Sequence, residues 1–422
     1  MNIFISLIKN ITKTKVFANF VNLSVIQVSN TVLMILMIPI ITRAVGLEMF
    51  GHVMVSNAIA GLMGILINYA TVQTSVKEIA FNHKDNKIIS KIFNETIFIR
   101  ILLFFLMTAI LVSSKYFFPV TFLLYLSIVP IIFGEAINPL FFFLGQENLR
   151  SYNLSNLVTK VITIIAILIF IKGRSDGVWV NFIIGLCTSV NYLILVFVLI
   201  KKYQLKFIMP KKKDVIKIYT GNFYLVANNF SVHLQQSLML FALQRWGTDA
   251  WLGAYSLCDK VIWSSRLLII SISSALYPKS AQLFKEGQVV WIKFRNKTKI
   301  YIGGLFFLLS AVLFLFPGFI ILILSGQENE TAVTFLRFMS LAPTLAALNS
   351  MNVLDRLLYN DTKSIFQIAF ILLLLSLLIS VTLVKSKSYF WFGAYTLSIE
   401  SFALLLYELH IRRKNNLSLN PK

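Results

Sequence analysis

The sequence has few charged residues, only two cysteines and almost no polar segment longer than a turn. Charged residues make up 13% of its 422 positions and hydrophobic residues 57%, with a mean hydropathy of +0.78. This composition excludes an ordinary water-soluble domain. Cys187 and Cys258 indicate neither a disulfide framework nor a metal site, and both lie within apolar runs as small fillers.

The motifs of several common enzyme classes are also missing. The sequence contains no G-x-x-x-x-G-K-[ST] loop, which excludes ATP hydrolysis by that route, and no H-E-x-x-H or G-x-S-x-G pattern. The connections on the predicted outer side of the membrane are too short to form a catalytic domain. These absences favour transport over catalysis, and no cofactor is predicted.

Apolar runs of about 20 residues recur along the chain, and this length crosses a bilayer as a helix. The runs are too long and too continuously apolar to be strands of a barrel. We therefore predict an all-α polytopic membrane protein with twelve transmembrane helices. They are residues 16–41, 52–76, 92–113, 117–144, 152–172, 177–200, 218–244, 251–278, 299–324, 331–358, 364–384 and 389–411.

The lysines and arginines predict the orientation of these helices. The chain has 39 of them against 17 acidic residues, a net charge of +22. Most lie in the connections on one side of the membrane, and such an excess is typical of the cytoplasmic side. Both termini are therefore predicted to be cytoplasmic. The basic run at 201–217 is interpreted as a loop that faces solvent and lipid headgroups, and no nucleic-acid partner is predicted.

The same basic run divides the predicted helices into two sets of six. The division predicts an N-terminal lobe at 1–200, a cytoplasmic linker at 201–217 and a C-terminal lobe at 218–422. A short repeated motif supports this division into two lobes. Arg43-Ala-Val-Gly46 follows the first predicted helix, and Arg245-Trp-Gly247 follows the seventh. Internal repeats are a common way to build transporters around a central site.

A resemblance to a known family is carried by residues 22–30, 39–46, 50–51, 143–160, 253–256 and 276–278. The chain resembles the Wzx-type O-antigen flippases of the multidrug/oligosaccharidyl-lipid/polysaccharide exporter superfamily over nearly its whole length. Asn68-Tyr69-Ala70 departs from the family, which often has a glycine in this turn.

The resemblance implies two six-helix lobes that form a V around a hydrophilic cavity, with alternating access to the two sides of the membrane. It implies a protein that is not an enzyme. Its substrate would be an undecaprenyl-diphosphate-linked oligosaccharide, an O-antigen or related repeat unit, moved from the cytoplasmic to the outer leaflet of the bacterial inner membrane. Besides membrane lipids, a glycan polymerase and a chain-length regulator are the expected partners.

Polar side chains gather on one face of some predicted helices. Asn30 belongs to such a stripe on the first helix, and Asn229 and Gln236 lie on one face of the seventh with Asn222 and His233. Sugar hydroxyls need donors and acceptors, and amides supply both. We predict that Asn30, Asn229 and Gln236 line the substrate path, with close helix packing as the alternative.

Ionisable residues inside the predicted helices cost at least about 2.5 to 3.5 kcal/mol to insert and normally face water or a partner. Four bases in the spans, and Arg43 at the outer mouth, are predicted to contact the diphosphate. Internal ion pairs, snorkelling and, for Arg43, a helix cap are the alternatives. The four bases are Arg100, Lys160, Lys260 and Arg266.

Three acids in the predicted spans are candidates for proton coupling, because burial brings a carboxyl group towards the working pH range. They are Glu135, Asp259 and Glu400. Two other functions stay open. A cation-coupled multidrug exporter of the same superfamily would need an acidic cavity, although bases outnumber acids in the spans. A membrane-embedded glycan polymerase or ligase would need an outer catalytic loop, which the sequence lacks.

Overall fold

The computed structural model describes residue 29 and residues 32–33, 35–82, 85–359 and 361–419, with side chains up to Ile411 except at 275 and 278. Every regular element in these ranges is helical. Short 3-10 turns occur at Ser114–Tyr116, Arg174–Asp176 and Tyr389–Trp391. The α-helices are α1 (Ile35–Val45), α2 (Leu47–Asn68), α3 (Thr71–Phe81), α4 (Asn86–Ser113), α5 (Phe122–Leu126), α6 (Val129–Ile137), α7 (Leu140–Gly145), α8 (Leu149–Phe170), α9 (Gly177–Tyr203), α10 (Lys212–Trp246), α11 (Asp249–Glu286), α12 (Gln288–Leu315), α13 (Pro317–Ser325), α14 (Glu330–Met339), α15 (Ala342–Leu358), α16 (Thr362–Lys385) and α17 (Ala394–Leu419).

These helices confirm a multi-pass, all-helical membrane protein. Nine helical segments in the described ranges are long and apolar enough to cross a membrane. A tenth forms if the two parts of α11, Asp249–Ser274 and Lys279–Glu286, count as one span bent by 48°. The nine are Leu47–Phe81, Asn86–Tyr116, Phe122–Gly145, Leu149–Phe170, Arg174–Tyr203, Gln288–Leu315, Glu330–Leu358, Thr362–Lys385 and Tyr389–Ile411.

Two of the twelve predicted spans have no counterpart among these segments, even when α11, which matches the eighth predicted span, is counted as the tenth. The first, at 16–41, lies largely outside the described residues. The seventh corresponds to α10, which is 35 residues long but polar, because amides and His233 interrupt its apolar residues. This is the helix on which the sequence predicts a polar stripe. The count of twelve therefore stays a prediction.

The second span is broken where α2 ends and α3 begins. The two residues between these helices, Tyr69 and Ala70, have φ angles of 48° and 54°, in the left-handed region. This conformation costs roughly 1–2 kcal/mol for a residue other than glycine. The turn lies at the segment where the sequence departs from the resembled family, so here two ordinary residues adopt a conformation that glycine would adopt more easily.

The fourth span is broken between α6 and α7. Pro139 has no N–H to continue the helix and disfavours the helical conformation of the residue before it. Asn138 accordingly adopts an extended ψ of 111°. The break frees the backbone carbonyl of Asn138 from helical hydrogen bonding, so another donor is required inside the membrane.

The described helices form two compact units. The first has a core in which Phe93, Phe141 and Phe142 pack together, and the second has a core around the fully buried Trp291. The predicted division into lobes at 1–200 and 218–422 stays a prediction. The first unit comprises Met63–Phe170 and Trp179–Val226 with the described part of Met1–Met37, and the second comprises Ile38–Leu62, Ile171–Val178 and the described part of Ala227–Lys422.

Candidate functional site

Arg100 belongs to the first unit, and its side chain is completely buried. Its Nε donates to Thr71 Oγ1 at 2.8 Å and its Nη1 donates to the carbonyl of Asn138 at 2.8 Å. The guanidinium also lies 5.1 Å from the ring centroid of Phe141. Arg100 therefore joins the two broken spans, since Thr71 begins α3 and Asn138 follows α6.

The contacts of Arg100 argue against the prediction that this residue contacts substrate. The backbone carbonyl freed by one helix break, that of Asn138, accepts a hydrogen bond from Arg100, and this internal partner favours a structural function over contact with substrate. A second donor supports the break at α2, because Asn222 Nδ2 donates to the carbonyl of Tyr69 at 3.0 Å. Asn222, from the predicted polar stripe, therefore acts here in helix packing.

Polar contacts continue from this region towards α8. Glu135 interacts with Asn138 and with the charge of Arg100. The hydroxyl of Tyr152 donates to Asn138 Oδ1 at 3.0 Å and lies 3.0 Å from the hydroxyl of Tyr192. Glu135, the first coupling candidate, thus belongs to a hydrogen-bonded network rather than standing alone in the membrane.

Lys160 lies further along the same face of α8. Tyr152, Asn156 and Lys160 follow at spacings of four residues, which places them on one side of a helix. Asn191 Nδ2 on α9 donates to Asn156 Oδ1 at 3.1 Å. Lys160 is half-buried. The sequence prediction named Lys160 but missed Tyr152, Asn156 and Asn191, although the four-residue spacing on α8 could have identified the first two.

In the second unit, the structure brings together Arg266 and Glu400, which the sequence assigned to different roles. Arg266 Nη2 lies 2.5 Å from Glu400 Oε1, and the two side chains are 18% and 13% exposed. The substrate-binding candidate is therefore the ion-pair partner of the coupling candidate. This is the internal ion pair that the sequence left open as an alternative.

Four other candidates lie in the second unit. Asp259 and Lys260 are adjacent on α11 and half-buried, and Lys260 is within electrostatic reach of His233 on α10. Asn229 and Gln236 are also half-buried on α10. These residues supply one base, one acid, one imidazole and two amides. Such groups can offer both charge and hydrogen bonds to a polar ligand.

Arg43 and Asn30 complete the predicted set. Arg43 is exposed and donates to the carbonyl of Ile323 in the last turn of α13, next to Gly326. This contact caps the C-terminal end of α13, and contact of Arg43 with the diphosphate stays a prediction. Asn30 lies outside the described residues.

The second unit also contains a buried charge cluster that the sequence analysis did not identify. Asp355 is 1% exposed and accepts hydrogen bonds from Trp291 Nε1 at 2.7 Å and Arg356 Nη2 at 2.7 Å. Arg295 Nη1 lies 3.1 Å from the same carboxylate, and Arg356 also pairs with Asp361 at 3.4 Å. None of these charged residues is among the site residues predicted from the sequence.

The polar residues are thus spread along membrane helices in both units. Among the described residues, no group of three or more His, Cys, Asp or Glu side chains could hold a metal ion. The arrangement can bind an anionic, hydroxyl-rich molecule through bases and amides.

The fold is that of known membrane transporters. A solved multidrug resistance MATE family transporter of the MOP superfamily, in an inward-facing conformation, matches with a TM-score of 0.74 and 13% identity, over 93% of this chain and 100% of that one. A MOP superfamily transporter from Pyrococcus furiosus matches with a TM-score of 0.64 and 13% identity, over 94% and 96%. The chain is therefore a multi-pass membrane protein whose fold is similar to that of these transporters.

The family follows from the sequence comparison. The chain belongs to the polysaccharide biosynthesis protein family, whose model matches residues 16–284, more than half of the chain. It is 24% identical over 363 residues to a protein of Escherichia coli (strain K12) named "Putative O-antigen transporter", covering 85% of this chain and 87% of that protein. A Shigella dysenteriae protein of the same name is 22% identical over 342 residues, covering 79% and 84%. The resemblance predicted from the sequence is confirmed.

Proposed function

We propose that the protein is a flippase, not an enzyme, that moves an undecaprenyl-diphosphate-linked oligosaccharide from the cytoplasmic to the outer leaflet of the bacterial inner membrane. The oligosaccharide is an O-antigen unit or a related surface-glycan repeat. One observation supports this most strongly: half-buried bases lie inside membrane helices in both units, Lys160 in the first and Lys260 and Arg266 in the second. The family and its named relatives agree with it.

The chemistry of a diphosphate explains the need for these bases. A diphosphate that leaves water loses its hydration, and fixed bases offset the desolvation cost through charge-assisted hydrogen bonds. The half-buried amides of Asn156, Asn229 and Gln236 suit the sugar hydroxyls. Asn30 is proposed as a further path residue on the basis of sequence alone.

The transport cycle that we propose uses twelve helices in two six-helix lobes, with alternating access and both termini in the cytoplasm. Energy comes from an ion gradient or from consumption of the glycan on the outer side, with Glu135, Asp259 and Glu400 as proton carriers. In the second unit, the diphosphate competes with Glu400 for Arg266. A glycan polymerase and a chain-length regulator are the proposed partners that receive the product.

Extrusion of organic cations is the second candidate function, because the solved neighbours in fold include multidrug resistance transporters. An organic cation requires acidic groups that lack basic partners. Glu135 instead faces Arg100, and Glu400 pairs with Arg266. These pairings favour an anionic substrate.

Reconstitution tests the proposal directly. Proteoliposomes that carry the lipid-linked oligosaccharide in one leaflet should transfer it faster than protein-free liposomes, measured by exposure of the glycan to an added glycosidase. An organic cationic dye provides the comparison. Movement of the dye without movement of the glycan would replace the flippase proposal with the second candidate.

Arg266→Ala is expected to reduce glycan transfer by about tenfold to a hundredfold, since a hydrogen bond to a charged group contributes about 1.5–3 kcal/mol. Arg266→Lys should restore part of the activity, because charge is kept while the planar fork is lost. The measurement is transfer rate per folded molecule in proteoliposomes. Lys160→Ala should lower the rate in the same way.

Two variants separate binding from structure in this experiment. Lys387→Ala changes an exposed turn residue and should leave transfer unchanged. Glu400→Gln removes the partner of Arg266 without removing the base. If Arg266→Ala and Glu400→Gln both lower folded protein to the same extent while transfer per molecule stays normal, the pair is structural and Arg266 does not bind substrate.

The orientation gives a separate prediction. Reporter fusions after Lys213 and after Lys422 should both report a cytoplasmic location, because basic residues accumulate on that side. A fusion after Lys387 should report the outer side and serves as the matched control. An outer location for the fusion after Lys422 would contradict the count of twelve spans.

A further inference from the structure

Residues 201–213 form a basic segment at one end of the first unit, and we call this segment the lysine loop. It runs from the end of α9 to the start of α10 and contains no acidic residue. The exposed side chains of two apolar residues, Phe207 and Met209, stand among its lysines. The lysines, all exposed, are Lys201, Lys202, Lys206, Lys211, Lys212 and Lys213.

The lysine loop is held at the boundary of the membrane helices. Its backbone is fixed to the first turns of α4, because the N–H of Lys206 donates to Ser90 Oγ at 3.2 Å and Asn94 Nδ2 donates to the carbonyl of Lys206 at 2.9 Å. Leu205 packs against the apolar core of the first unit. The span Arg174–Tyr203 ends where the loop begins, and the span Asn86–Tyr116 begins beside it.

Phe207 and Met209 point away from this anchored backbone. Their side chains are 82% and 66% exposed. Exposure of these two apolar side chains to bulk water is unfavourable. Apolar residues that are flanked by bases are instead suited to the boundary between lipid headgroups and acyl chains.

The lysine loop has one acid close to it, Asp214, which is within electrostatic reach of Lys211. Asp214, which follows the loop, pairs with Lys91 at 2.9 Å, and this hydrogen bond lowers the pKa of Asp214 below its ordinary value. Glu95 lies 3.4 Å from the same lysine. Within the described residues, no ion pair joins a lysine of the loop to an acid. The loop therefore presents its positive charge outwards.

We propose that the lysine loop binds the surface of the bilayer, with Phe207 and Met209 inserted at the headgroup boundary and the lysines bound to the phosphates of anionic phospholipids. Charge complementarity supports this partner, since the cytoplasmic leaflet is anionic and attracts basic segments next to membrane helices. The position at the ends of two spans supports it independently. The proposal does not depend on the transported substrate.

A depth measurement tests the proposal. In a Cys187→Ala and Cys258→Ala background, Met209→Cys carries a nitroxide label in nanodiscs made with phosphatidylcholine alone or with added phosphatidylglycerol. Accessibility to oxygen and to a water-soluble nickel chelate reports depth. We expect the label to be protected from the chelate in discs with phosphatidylglycerol, and more exposed in phosphatidylcholine alone or at high salt.

Charge variants identify the lysines as the cause. A variant with glutamine at Lys206, Lys211, Lys212 and Lys213 should lose the protection, because each lysine near an anionic surface strengthens binding about fivefold. The matched control also replaces four exposed lysines with glutamine, all in the second unit. In this control the label should stay protected from the chelate. The control positions are Lys279, Lys285, Lys293 and Lys297.

Three results would overturn the proposal. The label could be equally accessible to the chelate in every bilayer, which would leave a soluble partner as the better explanation of the exposed apolar side chains. It could be equally protected with and without phosphatidylglycerol, or the two charge variants could behave alike, and either result would exclude recognition of anionic lipid. The comparison of the two lipid compositions uses protein in which all lysines of the loop are present. It therefore tests the proposal even if the charge variants fold poorly.

Discussion

Asp355→Ala is expected to remove most of the folded protein from the membrane. The carboxylate of Asp355 binds Trp291 and Arg356 and lies 3.1 Å from Arg295, so its loss leaves buried donors without an acceptor. Arg356 is 1% exposed and cannot turn to water. Removal of one partner from a buried ion pair costs about 3–5 kcal/mol, a large part of the stability of a typical domain.

Thermal unfolding in detergent and protein abundance in membranes measure this effect. Glu48→Ala is the matched control, because Glu48 and Arg174 form an ion pair at 2.7 Å with side chains 44% and 66% exposed. Exposed pairs contribute about 0–1 kcal/mol. If Asp355→Ala unfolds at the same temperature as Glu48→Ala, the cluster does not stabilise the second unit and another function must account for it.

Most spans could be predicted from the sequence because a membrane helix is defined by local composition. A run of about 20 apolar residues must form a helix to satisfy its backbone in lipid. The predicted spans at 92–113 and 364–384, for example, correspond to Asn86–Tyr116 and Thr362–Lys385. Hydropathy did not reveal the helix breaks inside the spans. An apolar run has the same hydropathy whether its backbone is a continuous helix or is interrupted by a turn.

The break at Tyr69 and Ala70 shows why. Neither residue is a glycine or a proline, so no local feature of the sequence marks a left-handed turn. The turn is held by donors from distant parts of the chain, Arg100 through Thr71 and Asn222 through the carbonyl of Tyr69. The break after Asn138 is different, since Pro139 was visible in the sequence and could have indicated it.

The candidate site was predictable by residue type but not by partner. Arg266 and Glu400 stand out in the sequence because charged residues inside a membrane helix are costly in lipid and therefore rare. Their pairing joins positions 134 residues apart and depends on how α11 and α17 pack. The same limit applies to Asp355, whose partners lie on two helices, and one sequence gives no information on such contacts.

Arg100→Met is expected to destabilise the first unit strongly and to reduce transport only because less folded protein remains. The substitution keeps much of the side-chain volume but removes the donors that join Thr71 to the carbonyl of Asn138. It also leaves Glu135 without the opposite charge that it faces. The loss of a buried charged partner again implies about 3–5 kcal/mol, measured as the unfolding midpoint in detergent.

Arg100→Lys should rescue little of this stability. One ammonium group cannot reproduce the planar fork that reaches both Thr71 at the start of α3 and the carbonyl of Asn138 after α6. Addition of Glu135→Gln to Arg100→Met should recover part of the loss, because it removes the uncompensated carboxylate, and such coupling is expected only for residues that interact. The double-variant cycle therefore measures the Arg100 and Glu135 interaction within the first unit.

Lys160→Met provides the matched comparison for Arg100→Met. Lys160 is half-buried whereas Arg100 is completely buried, so the first variant should lose transport per molecule and keep its unfolding midpoint. The opposite pattern is expected for Arg100, whose acceptors are backbone and side-chain groups of the protein itself. If Arg100→Met keeps the wild-type midpoint but no longer moves the glycan, Arg100 contacts the diphosphate, and other donors must satisfy the two helix breaks.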